Sequence, residues 1–343
     1  MKNLVKIFAV FLISISYFSI SFANSIPSSF ADLAERLMPS VVNISTTTTV
    51  TTRSNPLPFE FPPGSPFEDM FGTPQQRQTS ALGSGFIIDE EGIVITNNHV
   101  IQGAQDIVVR VNGDKDYKAK VLGADAGMDL AVLKIESDEK FKPVNFGNSD
   151  KARIGDWVIA IGNPFGLGGT VTAGIISARN RSIGLSRYED YIQTDASINQ
   201  GNSGGPLFNM AGDVIGINTA ILGQSGSIGI GFAIPSNSAQ KVIKQLIEFG
   251  ETKRGWLGVR IQVVDQGIAD AENLDKPRGA LVASVAENSP SDKGGIKPGD
   301  IILEFDGKPI NEMKELPKIV AETDVGKKVI VKVWRNKREI TKE

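Results

Sequence analysis

Between Leu82 and Ile234 the chain is cut by glycine, asparagine and aspartate into short runs rich in β-branched residues, and this division restricts its fold more than any other feature. The runs are Gly85–Ile88, Ile93–Thr96, Ile107–Val111, Ala119–Ala124, Leu130–Ile135, Trp157–Ile161, Val171–Ser177, Tyr191–Thr194, Pro206–Phe208, Val214–Asn218 and Gly229–Ile234. Helical periodicity is scarce among them. Short strands at near-regular spacing, with turn formers between them, point to antiparallel barrels or sandwiches rather than to strands alternating with helices. The class expected is therefore mainly β.

Ser236 to Phe249 reads as an amphipathic helix with a serine or asparagine cap and Gly250 just past its end. Glu251 to Arg254 is a short polar linker. After it come a strand at Trp256–Val264, a helix at Ile268–Leu274, strands at Ala280–Val285 and Asp300–Phe305, a helix at Met313–Glu322 and a last strand at Lys328–Trp334. Together these make an α+β module of about 90 residues. With 343 residues the chain exceeds an ordinary single domain. A β domain over 27–250 and the smaller module over 255–343 account for it.

At the N-terminus, Lys2 and Lys6 precede an apolar run from Ile7 to Ala23 that ends Ser21-Phe22-Ala23. The run is interrupted by serines and Tyr17 and is shorter than the roughly 20 apolar residues of a spanning helix. Residues 1–23 are therefore expected to be a cleaved signal peptide, with an uncleaved anchor as the alternative. From Ala31 to Ser45 helix and strand signals mix. Thr46 to Ser80 then turns to threonine, proline and glutamine and reads as a long loop. Its Phe59, Phe61, Phe67 and Phe71 suit docking on a partner subunit or near an active site better than free exposure.

Composition removes whole classes of chemistry. Basic and acidic residues number 36 and 39, a formal charge of −3 with no basic stripe, so nucleic acid is not an expected partner. The absence of cysteine excludes disulfides, a thiol nucleophile and Cys-based metal sites. The chain has one histidine, His99, which excludes a His-rich metal site and any histidine pair acting as acid and base. No phosphate-binding Gly-x-x-x-x-Gly-Lys-[Ser/Thr] motif occurs. No metal and no cofactor are expected.

What remains is a serine chemistry. Gly201-Asn202-Ser203-Gly204-Gly205-Pro206 sets a serine in a glycine-dense turn between strands, where glycines permit positive φ and let N–H groups converge on a developing oxyanion. An ordinary tight turn has the same look. The α/β-hydrolase elbow is excluded because no histidine follows Ser203. The order His, Asp, Ser is that of the two-barrel β proteases. His99 closes Thr96-Asn97-Asn98-His99-Val100 at the end of a strand, and Asp129 leads straight into the apolar run Leu130–Leu133. Ser203 is expected as nucleophile, His99 as its base, and Asp129 as the acceptor that orients the imidazole. The backbone around Gly201, Asn202 and Ser203 is the expected oxyanion hole.

These segments, with Gly162-Asn163-Pro164-Phe165-Gly166, Gln193-Thr194-Asp195-Ala196 and Gly229-Ile230-Gly231-Phe232-Ala233-Ile234-Pro235, resemble the HtrA (Do-like, DegP/DegQ) serine endopeptidases from about Ala31 to the end. The resemblance implies a trypsin-like double six-stranded β-barrel followed by a PDZ domain. It implies ATP-independent degradation of unfolded proteins in the periplasm, assembly as homotrimers or larger trimer-based particles, chaperone-like holding of clients and peripheral membrane contact. By the same likeness Asn163–Gly168 and Ile221–Ser227 are activation and specificity loops, Arg179–Glu189 is a sensor loop touching the PDZ domain, and the Thr46–Ser80 stretch reaches active sites in resting assemblies. Thr219, Ala220 and Ile221 would bind substrate. Ser197 stands where proteases for basic side chains carry an acid, so cuts after Val, Ala or Ile are expected.

Gly255-Trp256-Leu257-Gly258 resembles the PDZ carboxylate loop, which makes Trp256, Leu257, Gly258, Val259 and Ile261 the expected peptide-binding residues. Asp292, Lys293 and Gly294 depart from the small helix formers usual there, so that short helix is expected to fray. The Thr46–Ser80 stretch lacks the cysteines of some relatives. The chain stops at Glu343 inside what reads as a final strand, which leaves a truncated two-PDZ protein as one expectation. The residues do not separate a protease from a client-holding chaperone or a single-client peptide sensor.

Overall fold

The computed structural model describes residues 27–52, 75–112, 115–163, 169–184, 188–199, 201–221 and 227–343, without the side chains of 49–52, 75–80 and 220–221. The expected signal segment at 1–23 lies outside this range. The chain divides into a short unit, Met1–Arg36, and the body, Leu37–Glu343. In the first, helix α1 (Ala31–Leu37) carries Asp32 in its first turn and Arg36 in its last, the charge order that complements a helix dipole.

The body begins with β1 (Val41–Thr52), β2 (Gln75–Ile87) and β3 (Ile93–Thr96). A one-turn helix α2 (Asn98–Ile101) is followed by β4 (Asp106–Val111), β5 (Lys115–Asp125) and β6 (Leu130–Ile135). These six strands close a barrel in the order β1-β2-β3-β6-β5-β4. The loop expected over Thr46–Ser80 is shorter at both ends than the sequence suggested. Val41 to Thr52 pairs without interruption with Phe86 to Gln75; a threonine run is β-branched and suits a pleated ladder whatever its polarity. Residues 53–74, with the four phenylalanines, are outside the described range.

A second closed barrel, ordered β10-β11-β12-β9-β8-β7, is built from β7 (Trp157–Gly162), β8 (Thr170–Arg181), β9 (Tyr191–Thr194), β10 (Pro206–Phe208), β11 (Val214–Ile221) and β12 (Gly231–Pro235). Each barrel encloses its own apolar core. Val42, Ile44, Val94, Val109, Leu133 and Ile135 fill the first. Val158, Ile176, Ile192, Leu207 and Ile215 fill the second. Each such side chain contributes about 1.5–3 kcal/mol by leaving water.

Helix α3 (Ser236–Phe249) crosses both barrels, packing on β5, β6 and β11. It buries Ala239, Val242, Ile243 and Leu246, spaced so that they share one face. Its start corrects the expected cap. The N-cap is Pro235, with no side-chain acceptor. Ser236 Oγ instead donates to Gly147 O at 2.7 Å. The exposed-end N–H of Asn237 reaches Ser149 Oγ on a neighbouring turn at 3.1 Å, so a tertiary contact replaces the local cap. Gly250 ends the helix as expected, in the left-handed region at φ 75°.

The C-terminal module holds β13 (Val259–Val263), α4 (Gln266–Glu272), β14 (Ala280–Val285), α5 (Pro290–Lys293), β15 (Ile301–Phe305), β16 (Lys308–Pro309), α6 (Glu315–Ala321), β17 (Val331–Arg335) and β18 (Arg338–Lys342). Its sheet runs β13-β14-β15-β17-β18, with β16 on β15. The sequence reading ended with one strand at Lys328–Trp334. The structure shows a hairpin, β17 paired with β18, whose turn residues Asn336 and Lys337 both have positive φ, the backbone of a tight primed turn. Lysine is a poor turn signal, which is why the hairpin was not legible. The short helix expected to fray is the single turn α5, capped by Ser289 Oγ on Asp292 N. Among the described residues no helix is long and apolar enough to cross a membrane.

Candidate active site

His99, Asp129 and Ser203 lie in separate elements, and backbone contacts bring those elements together. β3 ends at Thr96. Asn97 is extended, and the turn α2 that follows is anchored by the buried Val100 and Ile101, which leaves the His99 side chain 46% exposed. Across from it, Asp129 sits in the β5–β6 turn at φ 55°, a left-handed conformation that aspartate tolerates better than most residues. Asn97 Nδ2 donates to Asp129 O at 2.8 Å and holds that turn against the end of β3.

The carboxylate of Asp129 is clamped from several sides. His99 N–H donates to Oδ1 at 2.9 Å, and His99 Nδ1 lies 2.6 Å from Oδ2. Thr219 Oγ1, from β11 of the other barrel, donates to Oδ2 at 2.8 Å. A carboxylate held beside Nδ1 favours the tautomer with the proton on that nitrogen and leaves Nε2 to accept one. The Thr219 side chain, expected among substrate-binding groups, is buried on Asp129 instead; nothing local in Asn218-Thr219-Ala220 signals a partner in another barrel. Ala220 and Ile221 continue β11, pairing with Phe232 and Gly231, and their side chains lie outside the described set.

The turn carrying Ser203 is moulded against β2 and β3. Gly201 and Gly204 have φ values of 97° and 83°. A Cβ on Gly204 would stand 2.2 Å from Ser84 O and 2.3 Å from Thr96 Oγ1, with Asn97 N at 3.1 Å. The turn is thus pressed on the segment that leads to His99. Its backbone is pinned by Gly204 N to Asn218 O at 2.8 Å and Ser84 N to Ser203 O at 2.9 Å. Asn202 N–H, one of the groups expected to face an oxyanion, donates instead to Asn199 O at 3.0 Å within the turn. Among the described residues no hydrogen bond joins Ser203 Oγ to His99 Nε2.

Around this centre, Ser197 O accepts from Thr172 Oγ1 at 3.0 Å. Asp195, the nearest acid in sequence, spends its carboxylate on Ile175 N–H at 2.7 Å. Residues 164–168 and 222–226, the cores of the expected activation and specificity loops, are outside the described range. The expected sensor stretch is partly described. Next to it Lys318 of α6 pairs with Asp190, and the Arg254 guanidinium stacks over the Tyr188 ring at 4.6 Å. Met128, Tyr188, Lys241, Arg254 and Lys318 contribute to a cleft of about 430 Å³ between α3, the linker and α6.

In the C-terminal module, Gly258 has φ 80°, and a Cβ there would sit 2.2 Å from Ser289 Cβ. Leu257 O accepts from Ser291 Oγ at 2.6 Å. Leu257, Val259 and Ile261 are partly buried against the module's core, whereas Trp256 is 64% exposed. The residues expected to bind a peptide thus form one contiguous loop and strand. Among the described residues no cluster of His, Asp or Glu suited to a metal ion occurs.

Residues 83–217 match the family described as Trypsin-like peptidase domain, and residues 255–343 match PDZ domain. A relative from Marinomonas sp. (strain MWYL1), named as a DegP-like periplasmic serine endoprotease, is 48% identical over 334 residues, covering 93% of this chain and 71% of the relative. One of the same name from Hahella chejuensis is 46% identical, covering 91% of this chain and 68% of its own length. Among solved structures, the HtrA-type protease AlgW with a decapeptide aligns at TM-score 0.75 and 42% identity, covering 92% of this chain and 97% of that one. The serine endoprotease from Yersinia pestis aligns at 0.64 and 35%, covering 93% and 97%. With two closed six-stranded barrels, a PDZ domain and this degree of identity, the chain belongs to the HtrA-type periplasmic serine endoprotease family.

Proposed function

We propose that this serine endoprotease cuts unfolded or misfolded proteins in the periplasm without ATP, with Ser203 as nucleophile, His99 as base and Asp129 as the group that fixes the imidazole. The observation that carries the reading is the Asp129 carboxylate, held by His99 N–H, His99 Nδ1 and Thr219 Oγ1. A carboxylate that fixes Nδ1 in this way leaves Nε2 free to act as a base, which supports the reading. Ser203 Oγ attacks the scissile carbonyl, Nε2 takes its proton, and the same proton passes to the leaving amine. Gly201 and Ser203 N–H groups stabilise the tetrahedral oxyanion, each donor worth about 3 kcal/mol in the transition state. Asp195 is committed to Ile175 N–H, in line with a pocket without a free acid and cleavage after Val, Ala or Ile.

The PDZ module takes a peptide C-terminus on the Trp256–Gly258 loop and adds it as a strand beside Val259 and Ile261. Trimer-based assembly is part of the same reading. Client holding is the second reading, since a PDZ groove that takes a peptide can retain an unfolded chain whether or not Ser203 cuts it.

Incubating the protein with an unfolded substrate and a serine-reactive fluorophosphonate, beside Ser203→Ala, tests both. Cleavage and labelling in the parent alone, with a rate loss of roughly 10⁶-fold in the variant, supports the protease. Client binding without cleavage or labelling in either protein leaves the holding role as the function.

A further inference from the structure

Ser84, in β2 of the first barrel, is fully buried yet directs its polar atoms at the machinery of the second. Its N–H donates to Ser203 O at 2.9 Å. Its Oγ donates to Gly201 O at 2.5 Å and accepts from Asn163 N–H at 2.7 Å. Its own carbonyl accepts from Thr96 Oγ1 at 2.7 Å, just ahead of Asn97 and the turn that carries His99. Asn163 is in turn tied to the first barrel, through Asn43 Nδ2 on its carbonyl at 2.8 Å.

The nucleophile turn is shaped to this serine. Gly204 leaves no room for a side chain because of Ser84 O, and a Cβ on Gly205 would lie 3.3 Å from Ser84 Cβ. Holding the Gly201 and Ser203 carbonyls fixes the rotation of the peptide planes that flank the N–H groups of those same two residues. Gly201, at φ 97°, has no side chain to restrict it and is the position most in need of an external restraint. A hydroxyl at zero exposure is costly unless both its donor and acceptor capacities are met. Here both are met by the turn and by Asn163.

We propose that Ser84 is a positioning residue for the oxyanion site, its hydroxyl holding the Gly201 carbonyl and its backbone N–H the Ser203 carbonyl, so that the N–H groups of Gly201 and Ser203 converge on the developing charge. The proposal rests on the reading of Ser203 as nucleophile with those N–H groups as oxyanion donors. Ser84 touches neither substrate nor the reacting atoms, so its effect belongs to transition-state stabilisation and not to substrate affinity.

The test compares Ser84→Ala with the parent, with Ser203→Ala and with Ser236→Ala in the full chain. Ser236 supplies a matched control: its buried hydroxyl bonds Gly147 O at 2.7 Å at the start of α3, away from the nucleophile turn. The readouts are kcat and KM on a peptide substrate, affinity for a peptide boronate, whose tetrahedral adduct places an oxygen in the oxyanion site, and the thermal midpoint. The expected result for Ser84→Ala is a fall in kcat of roughly 10–100-fold with KM unchanged and boronate affinity falling in parallel. Ser236→Ala is expected to lower the thermal midpoint while leaving kcat intact. Ser84→Cys, which puts a longer and weaker donor at the same position, is expected to recover part of the loss and carries the comparison if the alanine variant does not fold.

Retained kcat in Ser84→Ala overturns the proposal. So does a kcat loss without a loss of boronate affinity, which would place the effect on nucleophile or base, or an equal kcat loss in Ser236→Ala, which would make it a matter of general stability. Activity surviving in Ser203→Ala is a different failure, that of the nucleophile assignment itself.

Discussion

Arg254 of the interdomain linker is clasped by Asp125, its Nη1 donating to Oδ1 at 2.9 Å and its Nη2 bonding Oδ2, in the same turn that presents Asp129. The Asp125 side chain is 5% exposed and that of Arg254 20%. Asp125 Oδ1 also accepts from Gly127 N–H at 3.2 Å, so this carboxylate shapes the turn from inside while the linker grips it from outside. Removing Arg254 leaves a buried carboxylate without its counter-charge, which is more damaging than never having had the pair. Arg254→Ala is expected to lower the thermal midpoint and to reduce kcat about 3- to 10-fold, far less than a triad variant. A double-mutant cycle with Asp125→Ala should return a coupling of about 1–3 kcal/mol. Additive effects would show that the linker and the turn act independently.

Thr219 offers a finer probe of the Asp129 clamp. Thr219→Val keeps the shape and loses the donor to Oδ2, leaving His99 N–H and Nδ1 as partners. The expected outcome is intact folding with kcat down about 10-fold, against a loss of about 10⁴-fold for Asp129→Asn, which also favours the wrong histidine tautomer. Steady-state kinetics on a short peptide decides it, since KM should move little in either variant.

Gly204 tests whether the nucleophile turn needs its close approach to β2 and β3. Gly204→Ala adds a methyl 2.2 Å from a backbone carbonyl at φ 83°, and backbone cannot yield as a flexible side chain can. The turn must move, at a cost of several kcal/mol. Loss of fluorophosphonate labelling with a preserved circular dichroism spectrum is the expected result.

How much of this could be read from the chain alone depends on the range of the signal. The strands Ile93–Thr96, Leu130–Ile135, Tyr191–Thr194 and Pro206–Phe208 have the same limits in sequence and structure, because each is an apolar run bounded by its own turn formers. His99 and Asp129 were legible for a similar reason: each abuts such a run, and the chain has no second histidine. Ser84 and Thr219 were not legible. Their partners lie across the barrel interface, and a serine within Gly83-Ser84-Gly85 carries no local mark of the turn it holds. The strand ends in Thr46–Thr52 and Gln75–Ser80 were hidden by composition, since a polar threonine run and a glutamine-rich run both read as loop until each is known to be the other's partner strand.

Acid stability follows from exposed ion pairs. The Arg110 hydrogen bond holds the Asp116 carboxyl below its ordinary range; Lys115 does the same for Glu139, and Arg153 for Asp156. A carboxylate whose folded pKa is depressed contributes stability above its unfolded pKa and loses it as pH falls through the folded value. All three side chains are at least a third exposed, so solvent and salt screen the effect. The thermal midpoint should therefore be nearly flat from pH 7 to about pH 5 and begin to fall only near pH 4 and below. A steep decline already at pH 6 would point to groups other than these.

Asp300 and Arg335 present the opposite case, a pair inside the PDZ module. Asp300 is 1% exposed. It accepts from Arg335 Nε at 2.5 Å and Nη2 at 2.6 Å and from Lys297 N–H at 2.8 Å. The side-chain bond to Asp300 raises the Arg335 pKa further above its ordinary value. For a raised cation the stabilisation is complete below the unfolded pKa, so no pH in the working range weakens the arginine's side of this pair. Substitution does weaken it. Arg335→Met leaves Asp300 charged and buried with one backbone donor, at a cost of about 3–5 kcal/mol, comparable with the whole stability of a small domain. Asp300 immediately precedes β15, and Arg335 closes β17 on the neighbouring strand, so the loss falls on the centre of the sheet and not on an edge. Differential scanning calorimetry should then show the PDZ transition displaced to lower temperature and separated from that of the barrels, while cleavage of a short peptide that needs no PDZ contact continues at the parental rate. A single unshifted transition would mean that the pair is replaceable by the packing around it, as happens where both charges are exchanged together for apolar groups of similar size.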